Sequence, residues 1–297
     1  MGRLIVNADD FGLTAGVNRA IAELHRAGLL TSTTLMARAA ATEEAIELAR
    51  SMPLLGVGCH VVLVDGEPAL PPRRGIASLA DPGDGRFRPT LGSFLDWLYR
   101  GSRARWPFRS VAAGEIEAEA AAQIALLQSR GVRLTHIDTH KHTHMFPAVL
   151  RPVLRAAKAA GIRSVRNPFE PAWSLRATPG APWLRRTEVR LLRLLEPAFR
   201  RIVAEEGFTT TGGAVGVLAT GTLDAATLRS LLRSLPPGTW ELVTHPGYND
   251  RDLAQARTRL LASRETEREA LGTLRQFPAE LISFAQLDSE AASLLRR

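Results

Sequence analysis

The chain is short of cysteine, lysine and aromatic side chains, and each shortage excludes something. One cysteine among 297 residues, Cys59, rules out an intrachain disulfide framework. A reducing compartment is expected instead, with a core large enough to stand without disulfide or metal staples. Only Lys141 and Lys158 are lysines, so all but two of the 38 cationic side chains are arginines, and the formal net charge is +8. Aromatic residues make up only 6%. The arginines are dispersed through predicted helices, not gathered in a block with stacking aromatics, which argues against a nucleic-acid partner. Long hydrophobic runs are missing too: the longest uncharged stretch, 207–223, contains five glycines, and nothing approaches the roughly 20 apolar residues of a membrane span. The early apolar run at 4–6 soon meets Asp9 and Asp10, so no signal peptide is expected and a soluble, cytoplasmic protein is.

What is present is ordinary globular material, 45% apolar and 23% charged. Short apolar runs at 3–8, 30–36, 55–63, 132–138, 162–166, 214–218, 239–244 and 281–284 read as strands. Helical spacing fills 15–27, 42–50, 113–129, 147–160, 183–206 (bent at Pro197), 224–234 and 251–275. Gly28, Gly131 and Gly161 stop three of these helices. Seven or eight β-then-α units without a composition break predict an α/β fold: an irregular (β/α) barrel of about seven to eight parallel strands in a single domain spanning 1–297. Residues 65–110, rich in proline and glycine, interrupt the alternation and read as a lid or binding-loop insertion.

Polar clusters sit where these strands end. Asp9 and Asp10 follow the first strand, His60 lies in the third, residues 135–144 follow the fourth, and His245 follows the run at 239–244. Parallel barrels build active sites on that rim. Five of the seven histidines, His60, His136, His140, His142 and His144, fall in two of the clusters. Alternation along a strand puts His136, Asp138 and His140 on one face, and crowding requires the chain to leave the strand near His140. A carboxylate and two imidazoles from separate strands suit a hydrolytic metal centre with an open position, and Asp10, His60 and His140 are the candidates. Each residue also has a plainer use. Asp9 and Asp10 could cap the following helix, His60 could be a core histidine, His142 and His144 could bond loop backbone, and Cys59 suits a small buried hydrophobe.

The segments 5–13 (Ile-Val-Asn-Ala-Asp-Asp-Phe-Gly-Leu), 28–34, 58–60 and 136–147 (His-Ile-Asp-Thr-His-Lys-His-Thr-His-Met-Phe-Pro) resemble the YdjC-like carbohydrate deacetylases of the ChbG/HpnK type. The resemblance runs from the first strand to His245-Pro246. It implies an irregular barrel that hydrolyses the N-acetyl group of an amino sugar with one divalent metal ion, Mg2+ or Zn2+. By motif, Asp10, His60 and His140 match the metal ligands and Asp9 the acidic partner. One departure is Lys141, where some relatives carry a third consecutive histidine.

The chemistry fits the residues independently: Asp9 suits the base that accepts the water proton, and His245 the acid for the departing nitrogen. Asp138, His142, His144, Arg166 and Asn167 are candidates for substrate contact. Selectivity is expected in 65–110 and 167–182.

Two enzymatic alternatives compete. A metal-free glycoside hydrolase would pair Asp9 or Asp10 with Asp138, leaving the histidines unexplained; phosphoester hydrolysis would call for a second metal and more bridging carboxylates. Residues 183–203 mix Trp183, Leu184, Leu191 and Leu194 with Arg185, Arg186, Arg190 and Arg193. Such a basic amphipathic helix suits a membrane surface or a lipid-linked acetylated sugar, but an outer barrel helix with solvated arginines is the commoner arrangement and the one expected. A homodimer is left open.

Overall fold

The computed structural model describes residues 2–72, 75–100, 108–178, 180–277 and 279–294. Among the described residues seven strands run parallel: β1 (Gly2–Phe11), β2 (Ser32–Leu35), β3 (Gly56–Val61), β4 (Leu134–Thr139), β5 (Ala214–Val215), β6 (Gly238–Thr244) and β7 (Glu280–Leu281). Their order is β4-β3-β2-β1-β6-β5, with β7 paired to the beginning of β1. Beyond β4 the ladder continues as single parallel bridges, Ile137 to Val165 and Ser164 to Thr209. Two more bonds, Gly212 N–H to Thr239 O and Glu241 N–H to Gly213 O, return it to β6. The result is an irregular parallel α/β barrel, and the weak stations are the predicted strands at 162–166 and 214–218.

β1 is the central strand, and its burial follows from its sequence: residues 4–11 are buried, polar ones included. A strand covered on both faces carries a near-continuous apolar run; here that run ends in acids because the strand ends at the rim. Helices Ala15–Arg26, Thr42–Ser51 and Pro147–Ala159 lie as the periodicity predicts. Gly28, Gly131 and Gly161 follow three helices with φ of 72°, 79° and 82°, conformations that favour glycine.

Four expectations need correction. The predicted helix 183–206 is two helices, Trp183–Leu192 and Glu196–Glu206, joined by a 3₁₀ turn at Arg193–Leu195. Pro197 therefore starts the second helix, where its missing N–H costs nothing, instead of bending one long helix. The predicted helix 251–275 is likewise split into Arg251–Gln255 and Ala262–Leu271. The last predicted strand reaches only Leu281, and a helix starts at Phe284. Finally, the insertion is less irregular than its prolines suggest: it contains the helix Leu91–Arg100 and an Ala80–Phe87 bridge, and the helix Phe108–Ser129 begins inside it. Residues 73, 74 and 101–107 of that insertion lie outside the described residues. Among the described residues, no helix is long and apolar enough to cross a membrane.

The barrel interior is closely filled below the rim. His136 points inward from β4, stacks on Phe284 with ring centroids 3.9 Å apart, and occupies the space beside Gly58 of β3. A Cβ at position 58 would lie 2.6 Å from the His136 ring. Gly58→Ala is therefore expected to destabilise the fold by about 1–3 kcal/mol in urea denaturation. In the double variant with His136→Ala the added penalty should largely disappear; a full, additive penalty there would rule out this contact as its cause.

Candidate metal centre and active site

Strand periodicity alone cannot turn two consecutive acids into one site, because neighbours on a strand face opposite ways. β1 escapes this by a register shift between Ala8 and Phe11, where Asp10 adopts φ 64°. Asp and Asn tolerate that left-handed conformation better than most residues. The turn is locked by Leu13 N–H on Asp10 O at 2.9 Å and Gly12 N–H on Asn18 Oδ1 at 2.7 Å. The following helix is capped by Thr14, whose Oγ1 accepts from Val17 N–H, so neither acid is used as its cap.

Asp10, His60 and His140 converge as the motif reading expects. Asp10 Oδ1 lies 3.5 Å from His60 Nε2 and 3.4 Å from His140 Nδ1, and the two imidazole nitrogens are 3.2 Å apart. Ligand atoms held about 2.1 Å from one tetrahedrally coordinated ion would be separated by about 3.4 Å, so the donor set and its spacing fit a single divalent cation. The site is buried apart from the His140 edge. His140 is the first residue beyond β4, and the chain turns away there through Lys141 and His142, with φ of 55° and 51°. Lys141 Nζ donates to Asp65 Oδ2 at 2.8 Å, joining this turn to the insertion.

Behind His60 stands a buried charge network. His60 Nδ1 bonds Asp138 Oδ1 at 2.7 Å, which directs Nε2 towards the cluster; carboxylate partners of this kind orient metal-binding histidines. Asp138 Oδ2 accepts from Arg166 Nη1. The same guanidinium holds Asp9 by two bonds, Nη1 to Oδ2 at 2.7 Å and Nη2 to Oδ1 at 2.6 Å. It also donates through Nε to Glu241 Oε1 at 2.8 Å. Asn7 and Thr34 add bonds to Asp9 Oδ1 of 2.9 and 3.2 Å.

The protonation pattern follows from these contacts. Burial works against ionising Asp9, but the charge and hydrogen bonds of Arg166, with His60 and His245 nearby, hold its carboxyl far below the usual range. Asp10 is likewise held well below it, burial being outweighed by Arg264, His140 and His60. Burial lowers the pKa of His60, but Asp138, then Asp9 and Asp10, push it up to about 9 in the metal-free cluster. Glu241, buried and with Oε2 unpartnered, is raised to about 7 despite Arg166. His245 is raised because Glu267, Asp9 and Asp10 outweigh its burial. Its Nε2 is 3.8 Å from Asp9 Oδ2, and its backbone N–H donates to Glu267 Oε2 at 2.6 Å.

The substrate-contact candidates are placed differently from one another. Asp138 and Arg166 are fully buried and committed to the network. His144 bonds Thr139 Oγ1 through Nδ1 and Arg166 O through Nε2, and burial pulls its pKa down to about 4. Asn167 fixes loop backbone, donating to Thr211 O and accepting from Phe169 N–H. His142 has a buried Nδ1 with no protein partner. Sequence reasoning misses Arg264, Glu241 and Glu267, whose partners lie far away along the chain. A second acidic–histidine triple, Asp9, His60 and Asp138, also has metal-like spacing, but the Arg166 guanidinium already lies against both of its carboxylates and would repel a cation.

Removing Arg166 leaves buried carboxylates without their shared counter-charge. Arg166→Met is expected to cost about 3–5 kcal/mol in urea denaturation. Glu241→Gln should cost clearly less, because that carboxyl already holds a proton near neutral pH for part of the time. Equal costs would show that the network does not depend on Arg166 in this way.

The comparisons with known proteins agree with this architecture. The family model described as YdjC-like protein matches residues 3–276. A carbohydrate deacetylase of Oceanobacillus iheyensis is 31% identical over an alignment covering 91% of this chain and 95% of that protein. A carbohydrate deacetylase of Brevibacillus brevis is 42% identical over 56% of this chain and 60% of its own length. A chitooligosaccharide deacetylase of Salmonella typhimurium is 35% identical over 60% and 66%. Among solved structures, one from Enterococcus faecalis V583, provisionally assigned to cellobiose-phosphate cleavage, superposes with a TM-score of 0.72 over 96% of this chain and 98% of that one. At 24% identity, that likeness speaks for the fold alone. On the family match across nearly its whole length, the chain belongs to the YdjC-like family.

Proposed function

We propose that this protein is a metal-dependent carbohydrate deacetylase that hydrolyses the N-acetyl group of an amino sugar, free or lipid-linked. The observation that carries this reading is the convergence of Asp10, His60 and His140 within metal-ligand spacing, beside Asp9, whose carboxyl is held far below the usual range, and His245, whose pKa is raised. The deacetylase names of the relatives supply the substrate class.

Asp10 Oδ1, His60 Nε2 and His140 Nδ1 would hold one divalent ion. When bound, such an ion lowers the pKa of water and polarises the acetyl carbonyl. The remaining work falls to the side chains. Asp9, ionised throughout the working pH range, accepts a proton from the attacking water. Its four hydrogen bonds make it a fixed acceptor and a weak base, so a partner is needed to carry the proton onward. His245 is that partner: its Nε2 is 3.8 Å from Asp9 Oδ2, and Glu267, Asp9 and Asp10 raise its pKa against its burial. In its protonated form it gives a proton to the departing nitrogen and then takes up the one held by Asp9. Asp138 keeps the Nδ1 proton on His60, so that Nε2 presents its lone pair. Imidazoles favour Zn2+, while a site completed by carboxylate and water also accepts Mg2+. The glycosidase alternative loses its second carboxylate, because both Asp138 oxygens are engaged by His60 and Arg166.

Acetate release from N-acetylated amino sugars should require metal, stop with a chelator and return when metal is restored. Asp10→Ala and His140→Ala should abolish it. Asp9→Asn is expected to lower kcat by about 10²–10⁴-fold, and Asp138→Asn to weaken metal binding or activity by about 10–100-fold. Release that persists in chelator, or survives Asp10→Ala, would overturn the proposal.

A further inference from the structure

We infer that Arg264 is a positioning residue for the metal centre, fixing Asp10 as a ligand through one oxygen only. The inference rests on the metal-centre reading of Asp10, His60 and His140. Arg264 is fully buried in the helix Ala262–Leu271. Its Nη2 donates to Asp10 Oδ2 at 2.6 Å and its Nε to Leu260 O at 3.1 Å. Gly247 packs over the stem, so closely that a Cβ there would lie 3.0 Å from Arg264 Cδ. The guanidinium is thus held from both ends, while Asp10 is held at its backbone by the left-handed turn.

The two carboxylate oxygens therefore have different duties. Oδ1 faces His60 Nε2 and His140 Nδ1 at 3.5 and 3.4 Å, and Oδ2 is assigned to Arg264. A carboxylate free at both oxygens can engage a cation with both, filling a position that substrate and water need. The guanidinium also draws charge from Asp10, so the centre holds its cation less tightly than an unassisted Asp-His-His set and leaves it a stronger Lewis acid. Charge balance alone would not require the contact to fall on the carboxylate that faces the two imidazoles.

The test uses the full chain with Co2+ as a coloured stand-in for the native ion. In Arg264→Met the visible spectrum of bound Co2+ should weaken and shift as Asp10 adds its second oxygen. Co2+ affinity should hold or rise while acetate release falls about 10–100-fold. Arg264→Lys, which keeps a cation beside Oδ2, should move back towards the wild-type spectrum, and Arg264→Gln offers a second neutral variant should the Met form fail to fold. Identical spectra for wild type and the neutral variants, or an affinity lost in step with activity, overturn the inference. Wild-type protein that takes up no Co2+ removes the metal-centre reading itself, whereas uptake with unchanged spectra removes this inference alone.

Discussion

The structure depends on one buried guanidinium. Arg166 lies in the barrel with no solvent contact and serves Asp9, Asp138 and Glu241 at once. Three carboxylates around a single cation would be a costly arrangement if all were ionised. The excess is relieved in two ways: Glu241 is pushed up towards neutrality, and His60 holds a proton between Asp138 and the site. In the proposed metal centre, a cation bound at Nε2 would replace the charge that the His60 proton supplies in its absence. Metal uptake and proton release would then be two sides of one exchange.

The proposed ligands come from β1, from β3 and from the residue after β4, and two departures from strand geometry bring them together. One is the register shift that turns Asp10 inward beside Asp9. The other is the pair of left-handed residues, Lys141 and His142, that turns the chain away directly after His140, the first residue beyond β4. Regular strands would have sent one acid outward and carried the histidine run past the rim. Both departures occupy short polar sequence, where the conformations are least costly, and both are pinned by hydrogen bonds from outside their own strand or turn.

Much of this is legible in the sequence, for identifiable reasons. Strand–helix alternation is a local signal, and the strand-end clusters inherit their position from it; Asp10, His60 and His140 are found that way. The roles of Arg166 and Arg264 are not legible. They meet Asp9 and Asp10 across 157 and 254 residues of chain respectively; the sequence marks Arg166 only as a candidate for substrate contact, and nothing local marks Arg264. The helix Leu91–Arg100 is hidden by the prolines around it, although its own ten residues contain none. The split of 183–206 escapes notice because the helical periodicity continues through Arg193–Leu195, where only the hydrogen-bonding pattern tightens.

The insertion is tied into the site more firmly than a surface loop would be. Glu119 and Glu115, on the inner side of the helix Phe108–Ser129, accept from the backbone N–H groups of Ala69 and Leu70 and of Ser78 and Leu79. Gln123 pairs with the backbone of Val62 in both directions. Arg88 closes the far side on the carbonyls of Ser78 and Leu79. Side chains thus satisfy backbone groups that have no sheet to join, as a buried irregular segment requires. Asp65, at the start of the segment, then reaches Lys141, which is covalently next to His140. Lys141 therefore couples the turn after His140 to the insertion. Changes in the insertion would reach the proposed metal centre through this ion pair, because Lys141 adjoins His140.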